Sequence, residues 1–336
     1  MHDRVMSRAE NWTAYWSTGT LHSCASSFQG NYAGGIGAFW RKVFSDLPPG
    51  ARVLDLCCGN GPLSKMLFEL NTEDRSFSVD AVDLAQVTMP WLSELTNDQR
   101  SRLMVHRGVD VASLPFPDGH FSLCISQYGI EYVGMTAFSE MARVLRPGGI
   151  FAAVIHHADA VPVEIARYEC GHIAVLLSPE GLYTRAYELI EPMSRSGTEQ
   201  GRIQLKQDPS AAKTRIEFNA ALSRLQANIQ QLPYPDVFEE QIEAILHLLN
   251  QVQTLGVEEG RKRLLGLRQL LESSLQRQEE LLQYACNEEQ IRACIRILGD
   301  DAPLLETLFF ENGKIAGWAV SATKDCKDSA GISRLG

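Results

Sequence analysis

Short apolar runs alternate with amphipathic stretches through the first half of the chain. Arg52-Val53-Leu54-Asp55-Leu56 reads as a strand, and Pro62 to Glu69 carries helical spacing. Phe77 to Asp83 predicts a second strand, followed by a helix that Pro90 helps to place. Leu103 to His106 reads as a third strand, Phe121 to Ser126 as a fourth and Ile150 to Ile155 as a fifth. Strands that alternate with helices at this spacing predict a parallel sheet covered on both faces. Ahead of them, residues 1–48 collect Trp12, Tyr15, Trp16, Phe28, Tyr32, Phe39 and Trp40, with a helix expected from Gly35 to Phe44. Pro48-Pro49-Gly50 then punctuates the chain.

Residues 159–299 change character and carry helical patterns with no convincing strand. Phe218, Leu222, Leu225 and Ile229 step by four, three and four, and Pro233 and Pro235 close that helix. Phe238, Ile242, Ile245, Leu249 and Val252 repeat the spacing, and another helix with Leu264, Leu267, Leu271, Leu281 and Leu282 follows Gly256 and Gly260. Ser194 to Ser210 is polar and contains glycine, which predicts a mobile loop. Leu304 to Phe310 and Ile315 to Thr323 flank an Asn312-Gly313 hairpin turn. The pattern therefore divides the chain into an aromatic N-terminal helical lid (1–48), an α/β core (49–158 and 300–325), a helical insertion (159–299) and a disordered tail (326–336).

Composition narrows the partners. A formal net charge of -10 argues against general nucleic-acid binding, which needs clustered Lys and Arg. No run of about 18 apolar residues predicts a membrane span, and Met1 to Glu10 lacks the apolar centre of a secretory signal. The eight cysteines show no Cys-x-x-Cys pair, so they read as reduced thiols of a cytoplasmic protein. His156, His157, Glu169, Cys170 and His172 invite a zinc reading, but their spacing matches no common zinc site, and no metal is expected.

The candidate chemistry begins at Asp55-Leu56-Cys57-Cys58-Gly59-Asn60-Gly61-Pro62. A strand that runs through a small-residue turn into a helix brings backbone amides and a helix N-terminus to an anionic group. Asp83, at the end of the second strand, suits the paired hydroxyls of a ribose. These two features fit an adenine dinucleotide and an adenosyl sulfonium alike. Gly59 and Gly61 nearly meet a dinucleotide fingerprint, but Ser64 stands in its third glycine position.

Asp110-Val111-Ala112-Ser113-Leu114-Pro115-Phe116-Pro117-Asp118-Gly119-His120-Phe121 resembles the stretch before the fourth strand of class I S-adenosylmethionine-dependent methyltransferases, particularly those akin to the ubiquinone-biosynthesis group. Glu140 to Gly149 resembles their helix-to-fifth-strand junction, and the turn after Asp55 resembles their first motif. The likeness covers roughly residues 50–157 and the hairpin at 304–324. It implies a Rossmann-like, mostly parallel sheet with an antiparallel C-terminal hairpin strand, carrying here a large α-helical insertion. It also implies S-adenosyl-L-methionine as cofactor and S-adenosyl-L-homocysteine as product.

Residue by residue, the resemblance implies that Gly59 and Gly61 line the methionine moiety, Asp55 orders the turn and Asp83 binds the ribose. Asp110 and the Val111 amide would meet the adenine, and Ser126 and Gln127 would face the methionine or sulfonium. Cys57, Asn60 and Leu84 complete the cofactor set, with Tyr32 from the lid on the cofactor carboxylate. Cys57 departs from the pattern, since the family usually has glycine there. His156 and His157, at the end of the fifth strand, are candidate bases, with Tyr128 and Glu131 lesser catalytic candidates. One of the histidines could instead pack beneath the sheet while the other caps the next helix.

The expected function is in-line methyl transfer to a small-molecule acceptor. A cofactor-binding protein of the same fold without that reaction, or an NAD(P)-dependent oxidoreductase, is the alternative. The helical insertion is expected to roof the acceptor pocket or to serve as the arm of a homodimer.

Overall fold

The computed structural model describes residues 6–23, 30–70 and 76–326. Phe28 of the expected lid and the tail from residue 327 lie outside them. Two helices, α1 (Arg8–Trp16) and α2 (Gly34–Ser45), lead into β1 (Ala51–Leu56), α3 (Pro62–Leu70), β2 (Phe77–Asp83), α4 (Asn97–Ser101), β3 (Leu103–Arg107), β4 (Phe121–Gln127), α5 (Met135–Val144) and β5 (Leu145–Ile155). Helices α6 (Val161–Leu177), α7 (Leu182–Arg195), α8 (Glu199–Lys206), α9 (Pro209–Ile229) and α10 (Asp236–Tyr284) follow. The chain ends in α11 (Glu288–Ile295) and the hairpin β6 (Leu304–Phe309) and β7 (Ile315–Thr323). No described helix is long and apolar enough to cross a membrane.

The chain divides into two compact units, one of residues 1–163 with 283–336, the other of residues 164–282. The first holds a seven-stranded sheet in the order β3-β2-β1-β4-β5-β7-β6. β1, β2, β3, β4 and β5 pair in parallel, and β7 returns antiparallel to β5 with Ile155 opposite Trp318. This is the expected Rossmann-like sheet. Alternation along each strand splits the core in two. Val53, Val79, Ile125 and Val154 face Trp40, Phe44, Leu67 and Phe68, while Leu54, Leu56, Phe121 and Phe151 face Phe138, Met141, Ile291 and Ile295. Apolar residues on both faces of the central strands are what a doubly covered parallel sheet requires.

The second unit packs Ile173, Leu176, Tyr183, Ile190, Phe218, Ile245, Val252 and Leu264 into its own core. Here the expected mobile loop from Ser194 to Ser210 is corrected, because this stretch is helical. Thr198 accepts from Gly201 N to start α8, and Asp208 accepts from Ser210 N and Ala211 N to start α9. Arg195 closes the corner on Asp208 at 2.7 Å. Two N-caps ten residues apart organise a stretch whose polar composition suggested disorder. Gly256, with φ 77°, kinks α10, whereas Gly260 is buried inside the helix.

Candidate active site

The turn after β1 is built on left-handed backbone. Cys57, Gly59 and Gly61 have φ of 54°, 52° and 74°. A Cβ on Gly59 would lie 2.5 Å from the Trp16 ring, and one on Gly61 would lie 3.0 Å from Met89 and Trp91. Cys57 accepts the same backbone region with a side chain, and the opposing chain makes room: a Cβ on Gly129 would fall 2.4 Å from Cys57 Cβ.

Two cavities meet at this turn. A cleft of about 210 Å³ is walled by Asp83, Leu84, Asp110, Val111, Cys57, Tyr128 and Gly129 at the ends of the parallel strands. Arg8, Trp12, Trp16, Tyr132, Val133 and Tyr284 complete it. A smaller space of about 30 Å³ lies over the glycine turn, between Tyr32, Asp55, Cys57, Cys58, Gly59, Gln127 and Tyr128. Cys57, Tyr128, Trp12 and Trp16 belong to both. Tyr32 lies on the smaller space and stacks on His22, the ring centroids 4.9 Å apart.

Burial sets the electrostatics. Asp55 accepts from Ser64 Oγ at 2.6 Å, yet burial pushes its carboxyl up to about 7, against the pull of that hydrogen bond. Asp83 accepts from Gly59 N and Ala85 N at 2.8 Å each, and burial still pushes it up to about 6. Each Asp83 oxygen keeps a second acceptor direction at the cleft wall. Asp110 closes a turn by accepting from Ala112 N at 2.9 Å. Burial first, and the Asp83 carboxylate second, push the Cys57 and Cys58 thiols well up, so neither is a thiolate.

Gln127 is the most telling polar group here. Its Oε1 accepts from Trp40 Nε1 at 2.6 Å, which fixes the amide, and its Nε2 is buried without a partner among the described residues. A buried donor left unpaired costs about 1–3 kcal/mol, and this one belongs to a residue on the small cavity.

Three cofactor candidates do not line either cavity. Asn60 is fully buried, with Nδ2 donating to the Trp16 and Thr20 carbonyls and Oδ1 accepting from Thr88 N. It ties α1 and the segment after β2 to the turn. Gly61 faces Met89 and Trp91. Ser126 donates to Leu56 O and accepts from Ile130 N, joining the ends of β1 and β4.

The histidines part company. His157 stacks on Trp318 at 4.3 Å, accepts from Asp159 N at 2.9 Å and has its basicity lowered by burial. It closes the turn between β5 and α6, accepting from Ala160 N at its carbonyl, and stands on neither cavity wall. His156 stacks on Tyr128 at 4.2 Å and pairs through Nδ1 with Glu131 Oε1 at 2.8 Å. It stands behind the cleft wall. Tyr128 is on the wall, but its hydroxyl donates to Ala316 O at 3.0 Å, so it is not placed as a base. Among the described residues no group of three or more His, Cys, Asp or Glu is placed to hold a metal ion.

Arg8 and Trp12 of α1 and the returning Tyr284 were not legible as site residues. Ser7-x-x-Glu10 is a capping box and would have located α1. Nothing in the sequence brings residue 284 to residue 8, where Arg8 lies 5.3 Å from the Tyr284 ring.

Comparison with known proteins agrees with the motif reading. Residues 53–149 match the methyltransferase domain family. A 2-phytyl-1,4-naphtoquinone methyltransferase of Synechococcus elongatus is 32% identical over 136 residues, covering 38% of this chain and 57% of that one. A ubiquinone/menaquinone biosynthesis C-methyltransferase of Cupriavidus metallidurans is 31% identical over 153 residues, covering 39% and 56%. The chain thus spans just over half the length of these relatives. A solved putative S-adenosyl-L-methionine-dependent methyltransferase from Methanococcus maripaludis aligns over 87% of this chain and 86% of its own, with a TM-score of 0.39 and 12% identity.

Proposed function

Starting from a methyltransferase domain at residues 53–149, we propose that the chain is an S-adenosyl-L-methionine-dependent methyltransferase acting on a small-molecule acceptor. The observation that carries this reading is the buried, unpaired Nε2 of Gln127 beside the glycine turn, next to a cleft walled by Asp83 and Asp110. A zwitterionic amino-acid end and a neutral nucleoside end need that division: a donor for the carboxylate, acceptors for the ribose hydroxyls and the adenine amino group.

Gln127 and Tyr32 would hold the amino-acid end, Asp83 the ribose, and Asp110 with Val111 and Leu84 the adenine. Asp55 and Ser64 keep the turn rigid beneath them. When bound, the cofactor supplies a methyl group on a sulfonium, already activated for in-line displacement. What remains for the protein is alignment and the exclusion of water. Trp12 and Trp16 of α1, which wall both cavities, provide an apolar cover for that purpose. The relatives' names point to quinone-type acceptors, and a flat apolar molecule suits the cleft end formed by Trp12, Tyr132, Val133 and Tyr284.

Ser64 speaks against the oxidoreductase alternative, since its hydroxyl is committed to Asp55 where a dinucleotide fingerprint needs bare glycine. Calorimetry decides between them. S-adenosylhomocysteine should bind and NAD should not. Asp83→Ala should weaken that binding by about 1.5–3 kcal/mol, the range for hydrogen bonds to a charged group. Binding of NAD in place of S-adenosylhomocysteine would overturn the proposal.

A further inference from the structure

Methyl donation and alignment leave one buried titratable pair without a task. Glu131 follows β4 in a short 3-10 turn, His156 follows β5, and they are 4% and 5% exposed. Burying such a pair stabilises little, because desolvation offsets the attraction and apolar side chains of similar size do as well or better. Groups kept inside at that cost are candidates for chemistry.

Their geometry is specific. Glu131 Oε1 accepts from His156 Nδ1 at 2.8 Å and from His156 N at 3.1 Å, which fixes the ring on both sides of its Cα. An ionised carboxylate only accepts, so pairing with Glu131 takes an imidazole proton on Nδ1 and leaves Nε2 as the second ring position. Glu131 Oε2 is buried and has no partner among the described residues. The His156 ring lies against Tyr128 at 4.2 Å and meets Tyr132 edge-on at 5.8 Å, and both tyrosines wall the cleft.

The groups that face the pair come from four elements. Tyr128 and Tyr132 belong to the turn after β4, and Cys57 to the turn after β1. Cys286, before α11, donates its backbone N to His156 O at 2.8 Å. Both thiols feel the Glu131 charge. Arg8 of α1 approaches through the Tyr132 carbonyl, to which it donates at 2.9 Å.

We infer that His156 and Glu131 form the proton-accepting pair of this cleft, serving an acceptor whose nucleophilic atom is an ionisable hydroxyl. The inference deepens the methyltransferase reading and rests on it. The Tyr128 and Tyr132 rings stand between His156 and the cleft, so the acceptor hydroxyl would have to pass them to reach the imidazole. Its O–H bond breaks with the electron pair left on oxygen, and the proton goes to Nε2. The resulting imidazolium is balanced by Glu131, a positioning residue that acts through His156.

Binding of 4-nitrophenol, whose ionised form is coloured, tests this without turnover. The protein is saturated with S-adenosylhomocysteine, and the bound probe is titrated against pH. Wild type should hold the probe ionised at least about one pH unit below the free phenol, a tenfold shift in its ionisation constant. His156→Asn should abolish the shift. Glu131→Gln should remove most of it, and Glu131→Asp should restore part. A His156→Asn protein that shifts the probe as wild type does would overturn the inference, as would a wild-type complex that leaves the phenol neutral or does not take it up. Calorimetry with S-adenosylhomocysteine on the same samples separates the two readings. Its failure in wild type sinks the methyltransferase proposal, while intact cofactor binding with an unshifted probe sinks only the pair.

Discussion

A methyl group added at Gly129 tests why a cysteine is tolerated in the glycine turn. The new Cβ would stand 2.4 Å from Cys57 Cβ, against a contact optimum of about 3.5–4.0 Å between carbons. Neither atom can swing aside, because each is fixed to its own backbone. Gly129 has φ -144°, not a left-handed backbone, and the collision is the cost that position 57 can relieve. Overpacking of this kind costs about 1–3 kcal/mol, and the upper half of that range is expected here. Cys57→Gly should be close to neutral. It relieves a left-handed backbone worth about 1–2 kcal/mol at a non-glycine residue. Against that stand about 0.5–1 kcal/mol of added freedom in the unfolded chain and the lost packing of a small thiol.

In the double variant the 2.4 Å contact is gone, and the next nearest atoms are the carbonyl oxygen of residue 57 at 3.3 Å and Ser126 Oγ at 3.4 Å, contacts that small shifts absorb. A coupling of about 2 kcal/mol should therefore appear, within the range seen for residues in contact. Denaturant unfolding of wild type, both single variants and the double variant, followed by tryptophan fluorescence, measures it. If Gly129→Ala costs the same with Cys57 and with glycine at position 57, the steric reasoning is refuted.

Three other outcomes follow from the same region. Asp55, pushed up to about 7 by burial, binds a proton in the folded chain that the unfolded chain releases near pH 3.9. This contribution to stability is full below about pH 4 and is lost as pH rises through about 7. Asp55→Asn should flatten that slope, and an unchanged slope of denaturation midpoint against pH would exclude Asp55 as its source. Trp40→Phe removes the donor that fixes Gln127 and should cost about 1–3 kcal/mol in thermal or denaturant unfolding, with weaker S-adenosylhomocysteine binding by calorimetry. Gly59→Ala forces a Cβ to 2.5 Å from the Trp16 ring at φ 52°. It should displace α1, seen as a change in tryptophan emission, and lower affinity for the same ligand.

The strands of the parallel sheet were legible because each is a short apolar run closed by small or turn-forming residues, as in Leu54-Asp55-Leu56 before Cys57 and Gly59. In the stretch from Ser194 to Ser210 capping outweighs composition: Thr198 and Asp208 start two helices that no apolar period announces. Asp83 was legible as a wall residue because it ends β2, where a parallel sheet opens its ligand crevice, whereas Asp110 and Val111 came from the family resemblance.

Side-chain direction is what a motif withholds, and period-two alternation accounts for the misplacements at the strand ends. Neighbouring residues on a strand point to opposite faces, so Ser126 and Gln127 could not both serve one cavity. Gln127 reaches the small cavity, while Ser126 turns to the Leu56 carbonyl on the other side. His156 and His157 follow β5 and part in their packing. His156 lies on Tyr128 beside the cleft, and His157 lies on Trp318 of the antiparallel strand β7. Glu131, 25 residues earlier, sets His156 apart, since its carboxylate pairs with the imidazole Nδ1. Only the parallel pairing of β4 with β5, with Gln127 opposite Val154, brings the ends that carry those two residues side by side.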